Sequence, residues 1–150
     1  MGITTALCNT FKKELLEGIH TFGTDTFKLA LIKSGESGTY GASTANYSDV
    51  TGNSDEISNT GNYSAGGASL TSVTVTGGTS ASTAFVDFDN VQFTSATIDA
   101  NGAIIYNSSA SNKAVAVISF GTTQSSDSGS FTVQIPAVGS GGATAIIRVE

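Results

Sequence analysis

The chain has one His, one Cys and no Trp in 150 residues, and only 12% of it is charged. Each shortage excludes something. Nucleophilic and acid–base catalysis draw on His, Cys, Lys or paired carboxylates gathered in one site. His20 and Cys8 have no second copy to pair with, so an intrachain disulfide framework is excluded. Six Lys and Arg against twelve Asp and Glu leave a net charge of −6. That balance lacks the clustered cations that phosphate binding needs. It gives no attraction to anionic lipid either. No stretch approaches the roughly 20 apolar residues of a membrane helix. The opening Met1-Gly2-Ile3-Thr4-Thr5-Ala6 lacks the basic and apolar regions of a secretory signal. Ala6 also stands where a myristoylation pattern needs Ser or Thr. The expectation is a protein made in a cytoplasm and kept in solution there unless something carries it out.

What fills the chain instead is Ser, Thr, Gly, Asn and Ala, with apolar residues in ordered clusters. The length fits a single domain over 1–150 with a real core. Ile3, Leu7, Phe11 and Leu15 step by four, which predicts an amphipathic helix over 4–17. Thr4 or Thr5 is its expected cap and Gly18 its stop. Leu16 falls among the polar residues and marks a second contact. From Gly23 the period becomes two. Alternation predicts strands around 24–33, 69–76, 84–88, 91–98, 103–107, 114–120, 131–135 and 145–149. Asn101-Gly102 reads as a two-residue hairpin turn between 91–98 and 103–107. Many short strands with one helix predict a mainly β chain: an antiparallel β-sandwich or jelly-roll-like domain with one N-terminal amphipathic α-helix. The sandwich strands lie in 24–33 and 69–150.

Residues 34–68 are a long loop region, and loops of that length are uncommon unless functional or disordered. Tyr40, Tyr47 and Tyr63 lie in it beside Asn and Ser, a mixture suited to adaptable contact surfaces. The alternative is that these tyrosines pin the loop to the sandwich. His20 and Cys8 read as structural residues, Cys8 as a small buried hydrophobe. Asp87, Asp89 and Asn90, and separately Asp49, Asn53, Asp55 and Glu56, are candidate Ca²⁺ ligands by residue type only. Neither group has EF-hand spacing, and a solvated acidic face is the simpler reading. No phosphate loop and no G-x-S-x-G pattern is present. No catalytic residue, metal or cofactor is expected. The candidate interface is Leu7, Phe11, Leu15, Leu16, Tyr40, Tyr47 and Tyr63.

Several segments together carry a resemblance. They are Ala6-Leu7-Cys8-Asn9-Thr10-Phe11-Lys12-Lys13-Glu14-Leu15-Leu16-Glu17-Gly18, Asp25-Thr26-Phe27-Lys28-Leu29-Ala30-Leu31 and Tyr63-Ser64-Ala65-Gly66-Gly67-Ala68-Ser69-Leu70. Further along come Gly102-Ala103-Ile104-Ile105-Tyr106-Asn107-Ser108, the run Lys113–Gly121, and Phe131-Thr132-Val133-Gln134-Ile135-Pro136. In this order they resemble small virion structural proteins of tailed bacteriophages, particularly those of aquatic bacteria. The resemblance spans nearly the whole chain and carries no catalytic motif. It implies a non-enzymatic part of a virion, made in the host cytoplasm. Its partners would be the major capsid protein or other virion subunits, with homo-oligomers expected and neither nucleic acid nor membrane bound. A capsid decoration or cement protein is the expected role. A tail- or fibre-associated protein in host adsorption is the alternative, and a carbohydrate-binding module is a second one from another class.

Overall fold

A computed structural model describes residues 2–78 and 81–150. The chain runs β1 (Gly2–Ile3), β2 (Ala6–Leu7), α1 (Asn9–Leu16), β3 (Phe27–Lys33), β4 (Thr39–Tyr40) and α2 (Ser48–Gly52). It continues with β5 (Ala68–Ser69), β6 (Thr74–Gly78), β7 (Ala81–Asp87), β8 (Val91–Asn107) and β9 (Lys113–Val133). A short 3₁₀ turn, Ser140–Gly142, precedes β10 (Ile147–Val149). The protein is mainly β, 48% strand against 11% helix, and sandwich-like. A five-stranded antiparallel sheet has the order β2-β9-β8-β3-β5, and a three-stranded one the order β10-β7-β6. β1 and β4 form a small parallel pair.

The five-stranded sheet is covered on both faces at its centre. In β3 the residues Leu29, Ala30, Leu31 and Ile32 are all buried, as are Ala103–Tyr106 in β8 and Ala114–Val117 in β9. Fully burying one such Leu or Ile contributes about 1.5–3 kcal/mol, so this region dominates the stability. The three-stranded sheet joins it through aromatic rings. Phe22 stacks on Phe27 of β3, with centroids 4.5 Å apart, and meets Phe88 at the end of β7 at 6.5 Å.

The N-terminal helix is shorter than its spacing suggests. It covers Asn9–Leu16, and residues 4–8 of the expected 4–17 span lie before it as non-helical chain. Ala6 and Leu7 pair with Val117 and Ala116 on β9. Thr4 donates its N–H to the Tyr40 carbonyl, and Thr5 Oγ1 accepts the N–H of Ser119. Sheet pairing takes precedence over a helical start in a segment rich in β-branched residues. Cys8 therefore occupies the cap position, with no side-chain cap, and neither threonine caps the helix. The stop is where expected. Gly18 takes φ +72°, Ile19 N–H reaches the Glu14 carbonyl and Gly18 N–H the Leu15 carbonyl, which is a Schellman ending.

Asn101-Gly102 is not a hairpin turn. β8 runs straight through it, and a register shift lies between Ala100 and Gly102, so the pair marks a bulge. Gly102 is required for close approach: a Cβ there would lie 2.4 Å from the Ile118 carbonyl oxygen. Asn101 is used sideways, donating to Glu36 and accepting from Thr123. Likewise 114–120 and 131–133 belong to one strand, β9, joined through the exposed polar run 121–130, and the expected strand 131–135 stops at Val133. The actual β8–β9 turn is at 108–112. There Asn107 Oδ1 accepts the N–H groups of Ser109 and Ala110, and Ser111 and Asn112 take positive φ.

Phe11 and Leu16 share a helix and differ in everything else. Phe11 is fully buried and Leu16 is 91% exposed. Phe11→Ala is expected to lower unfolding free energy by roughly 3–5 kcal/mol. Leu16→Ala should change it by less than about 0.5 kcal/mol. Denaturant titration of both variants checks this, and equal losses would contradict the assigned burial.

Candidate functional site

Helical geometry sends Phe11 and Leu15 inward along one stripe and turns Leu16 about 100° away, while Leu7 reaches the same side from β2. Phe11 packs against His20 and Phe22, at centroid separations of 5.0 and 6.2 Å. Leu7 and Leu15 are half-buried. Beside them a groove of 260 Å³ runs between α1 and β10, walled by Leu7, Phe11, Lys12, Leu15, Leu16, Ile147, Arg148 and Val149. A second apolar depression of 160 Å³ adjoins it across the three-stranded sheet. It shares Leu15, Ile147 and Val149 with the groove and adds Phe22, Val75, Ala84, Phe85 and Val86. Among the described residues the exposed large hydrophobics are Leu16, Val75 at 59% and Val149 at 55%. All three stand on this one face. Scattered exposed apolar residues are ordinary, whereas a contiguous patch marks an interaction surface.

Beneath the helix a polar cluster fixes α1 to the β8–β9 turn. Glu14 accepts from Lys113 Nζ at 2.8 Å and lies 2.9 Å from His20 Nε2. The Asn107 oxygen is committed to the turn, so its amide nitrogen donates to His20 Nδ1 at 3.1 Å and to Asp25 at 2.7 Å. His20 Nδ1 is then an acceptor, and the proton sits on Nε2, directed at Glu14. Burial pushes the Glu14 carboxyl up, but the bonds from Lys113 and His20 outweigh it and hold the group below its ordinary value. All of this is internal bracing. Cys8 is also enclosed, and burial, with the charges of Asp49 and Glu14, pushes its thiol up to about 12. A thiol at that value is inert.

The tyrosines are not on a contact surface. Tyr40 and Tyr63 are buried and Tyr47 is half-buried, which is the pinning alternative. Their hydroxyls end on two adjacent carboxylates. Asp55 is fully buried and accepts from Tyr40 OH at 2.6 Å, Gly38 N at 2.8 Å and Ser37 N at 2.9 Å, with Lys33 Nζ at 3.6 Å. Glu56 accepts from Tyr47 OH, from Tyr63 OH at 2.8 Å and from Gly66 N at 2.6 Å. The Tyr47 ring stacks on Tyr106 of β8, with centroids 4.4 Å apart. Of the expected interface, then, Leu15 and Leu16 face the groove, Leu7 and Phe11 form its inner wall, and the three tyrosines lie elsewhere, inside the loop.

The acidic groups do not converge. Asp87 accepts from the Phe88 N–H, whereas Asp89 accepts from the hydroxyls of Thr71 and Ser72. Asp49 takes the N–H groups of Ala45 and Asn46. Among the described residues no group of three His, Cys, Asp or Glu side chains is placed to hold a metal ion. A shallow groove on β9 is lined by Phe120, Phe131, Gln124, Gln134 and hydroxyl residues. Phe131 is buried and the two rings are tilted at 49°, so the groove has no flat aromatic floor for a sugar. Comparison with known proteins identifies no relative: no family model, no curated protein and no solved structure matches this chain.

The buried carboxylate makes stability depend on acid. Burial alone would raise Asp55, but hydrogen bonds from Tyr40, Ser37 and Gly38 lower it from 3.8 to about 2. A depressed carboxylate contributes stability that is present above its unfolded value and lost as pH falls through the folded one. The loss should therefore run from about pH 4 down to about pH 2, with Glu14 and Asp25 shifted in the same direction. Asp55→Asn should be less stable at pH 7 and show a shallower decline below pH 4. Thermal melts across this range test it, and parallel pH profiles for the two proteins would refute it.

Proposed function

We propose that this chain is a non-enzymatic structural protein of a tailed-phage virion: a capsid decoration protein that binds the major capsid protein and stabilises the shell. The observation that carries the reading is the single apolar face on which Leu16, Val75 and Val149 are all exposed. It is supported by the sequence resemblance to small virion proteins and by a rigid scaffold whose His, Cys and buried carboxylates are all committed to internal bonds. Stable interfaces bury on the order of 1,200–2,000 Å² in total, and a shell presents many identical sites, so modest contacts add through avidity. Binding only the assembled shell stabilises that state by mass action. Homo-oligomers of the chain would multiply the effect.

Particles prepared without this protein should release DNA at a lower temperature, or under a milder osmotic shock, than complete particles. Adding back the purified protein should restore the threshold, and Leu16→Asp with Val149→Asp should not. Both positions are exposed, so the doubly substituted protein should still fold. Unchanged thresholds together with poor adsorption to cells would sink the capsid role and favour the tail or fibre role.

A further inference from the structure

We propose that the groove between α1 and β10 takes an extended, acidic segment of a partner protein, which adds as a strand to the open edge of β10. The proposal rests on the docking role above and gives it a chemistry. β10 is the end strand of its sheet, paired only with β7. Side chains of a strand alternate between faces, yet the consecutive residues Ile147, Arg148 and Val149 all line the groove. The groove therefore runs along the strand's edge, where backbone donors and acceptors await a partner. Its far wall is apolar, formed by Leu7, Phe11, Leu15 and Leu16. A strand laid there would find main-chain hydrogen bonds on one side and leucines on the other.

Charge selects the occupant. The groove is lined by two cations, Lys12 and Arg148, and by no carboxylate, in a chain whose net charge is −6. Lys12 has no ion-pair partner among the described residues. Arg148 donates from Nη1 to the Ala143 carbonyl at 2.6 Å and from Nη2 meets Glu150 at 3.1 Å; the ion pair is well exposed and so weak, and the five-donor guanidinium keeps further N–H groups for an incoming carboxylate. A segment alternating apolar and acidic residues satisfies both cations while its apolar side meets the leucines. A second copy docked about a two-fold axis would instead bring Lys12 and Arg148 against their own kind, which is repulsive. An anionic bilayer is disfavoured by the overall negative charge.

The test uses the full chain, labelled with ¹⁵N, and two synthetic heptapeptides, Glu-Val-Glu-Val-Glu-Val-Glu and its Lys-Val counterpart. At roughly millimolar peptide and low salt, the acidic peptide should shift the amides of Ile147–Val149 and Leu15–Leu16 and slow hydrogen exchange along β10. The basic peptide should bind at least about tenfold more weakly. Lys12→Glu with Arg148→Glu should reverse that preference. No shift at β10, equal binding of both peptides, or a concentration-dependent dimer that protects the same amides would each overturn the proposal. Particle assays separate it from the capsid role. If the double charge variant neither binds peptide nor loses its effect on shells, the strand proposal fails alone. If wild-type protein binds the acidic peptide but never enters particles, the groove stands and the capsid role fails.

Discussion

Two adjacent carboxylates, Asp55 and Glu56, hold the rest of this architecture in place. Residues 34–68 have few large aliphatic side chains and could not be fixed by hydrophobic burial alone. Glu56 bridges to Ile32 on β3, which aligns this stretch with the sheet edge. Neighbouring residues in extended chain point to opposite sides. Asp55 therefore gathers Ser37, Gly38 and Tyr40 on one side, while Glu56 gathers Tyr47, Tyr63 and Gly66 on the other. A buried charge is tolerable only when its lone pairs are occupied. Each of these carboxylates has at least three donors, and Asp55 has the Lys33 ammonium as well. The tyrosine rings then supply the apolar mass that the loop otherwise lacks. Tyr63 meets Phe93 edge-on, and its hydroxyl also receives the Leu31 N–H, so one side chain ties the loop to β3 and β8.

The same arrangement explains what could and could not be read from the chain. Apolar patterning located β3, β7 and the inner parts of β8 and β9; where both faces are buried, as in β3, the mark is a short apolar run rather than strict alternation. It could not show that two pairs of predicted strands are continuous. The intervening residues, Asn101-Gly102 and the run 121–130, are turn-forming by composition, and sheet pairing with a long neighbour overrides that local preference. The helix stripe over-reached at its N-terminal end for a related reason. Ile3 and Leu7 keep helical spacing by coincidence, and their burial comes from β1 and β2 instead. Gly18 was legible as a stop because only a positive φ closes that helix end.

The candidate site was half legible. Leu16 stood out as an apolar residue on the wrong side of its helix, and the fold leaves it 91% exposed. Val75 and Val149 carried no such signal, since alternate residues of an edge strand are expected to be apolar on one face. Only the fold places them beside Leu16. The tyrosines show the opposite error. Tyr beside Asn and Ser is as typical of a contact loop as of a hydrogen-bonded one, and the deciding residues were the acidic pair at 55–56. Three tyrosines within about twenty-five residues of an Asp-Glu pair, in a segment short of aliphatics, was the available clue.

A division of labour follows. Polar interactions in this protein point inward: His20 with Glu14 and Asn107, Asp55 and Glu56 with the loop, and Asn107 with its own turn. They fix the shape. Apolar side chains, normally the inward-facing class, come to the surface together on one face beside α1. Keeping Leu16, Val75 and Val149 in water costs free energy in proportion to the area left exposed. A folded monomer gains nothing from that exposure, and the loss is recovered only when another surface covers the face. On the docking role proposed above, the inward network would present the exposed apolar face in a fixed shape, so that docking need not order the chain at the same time.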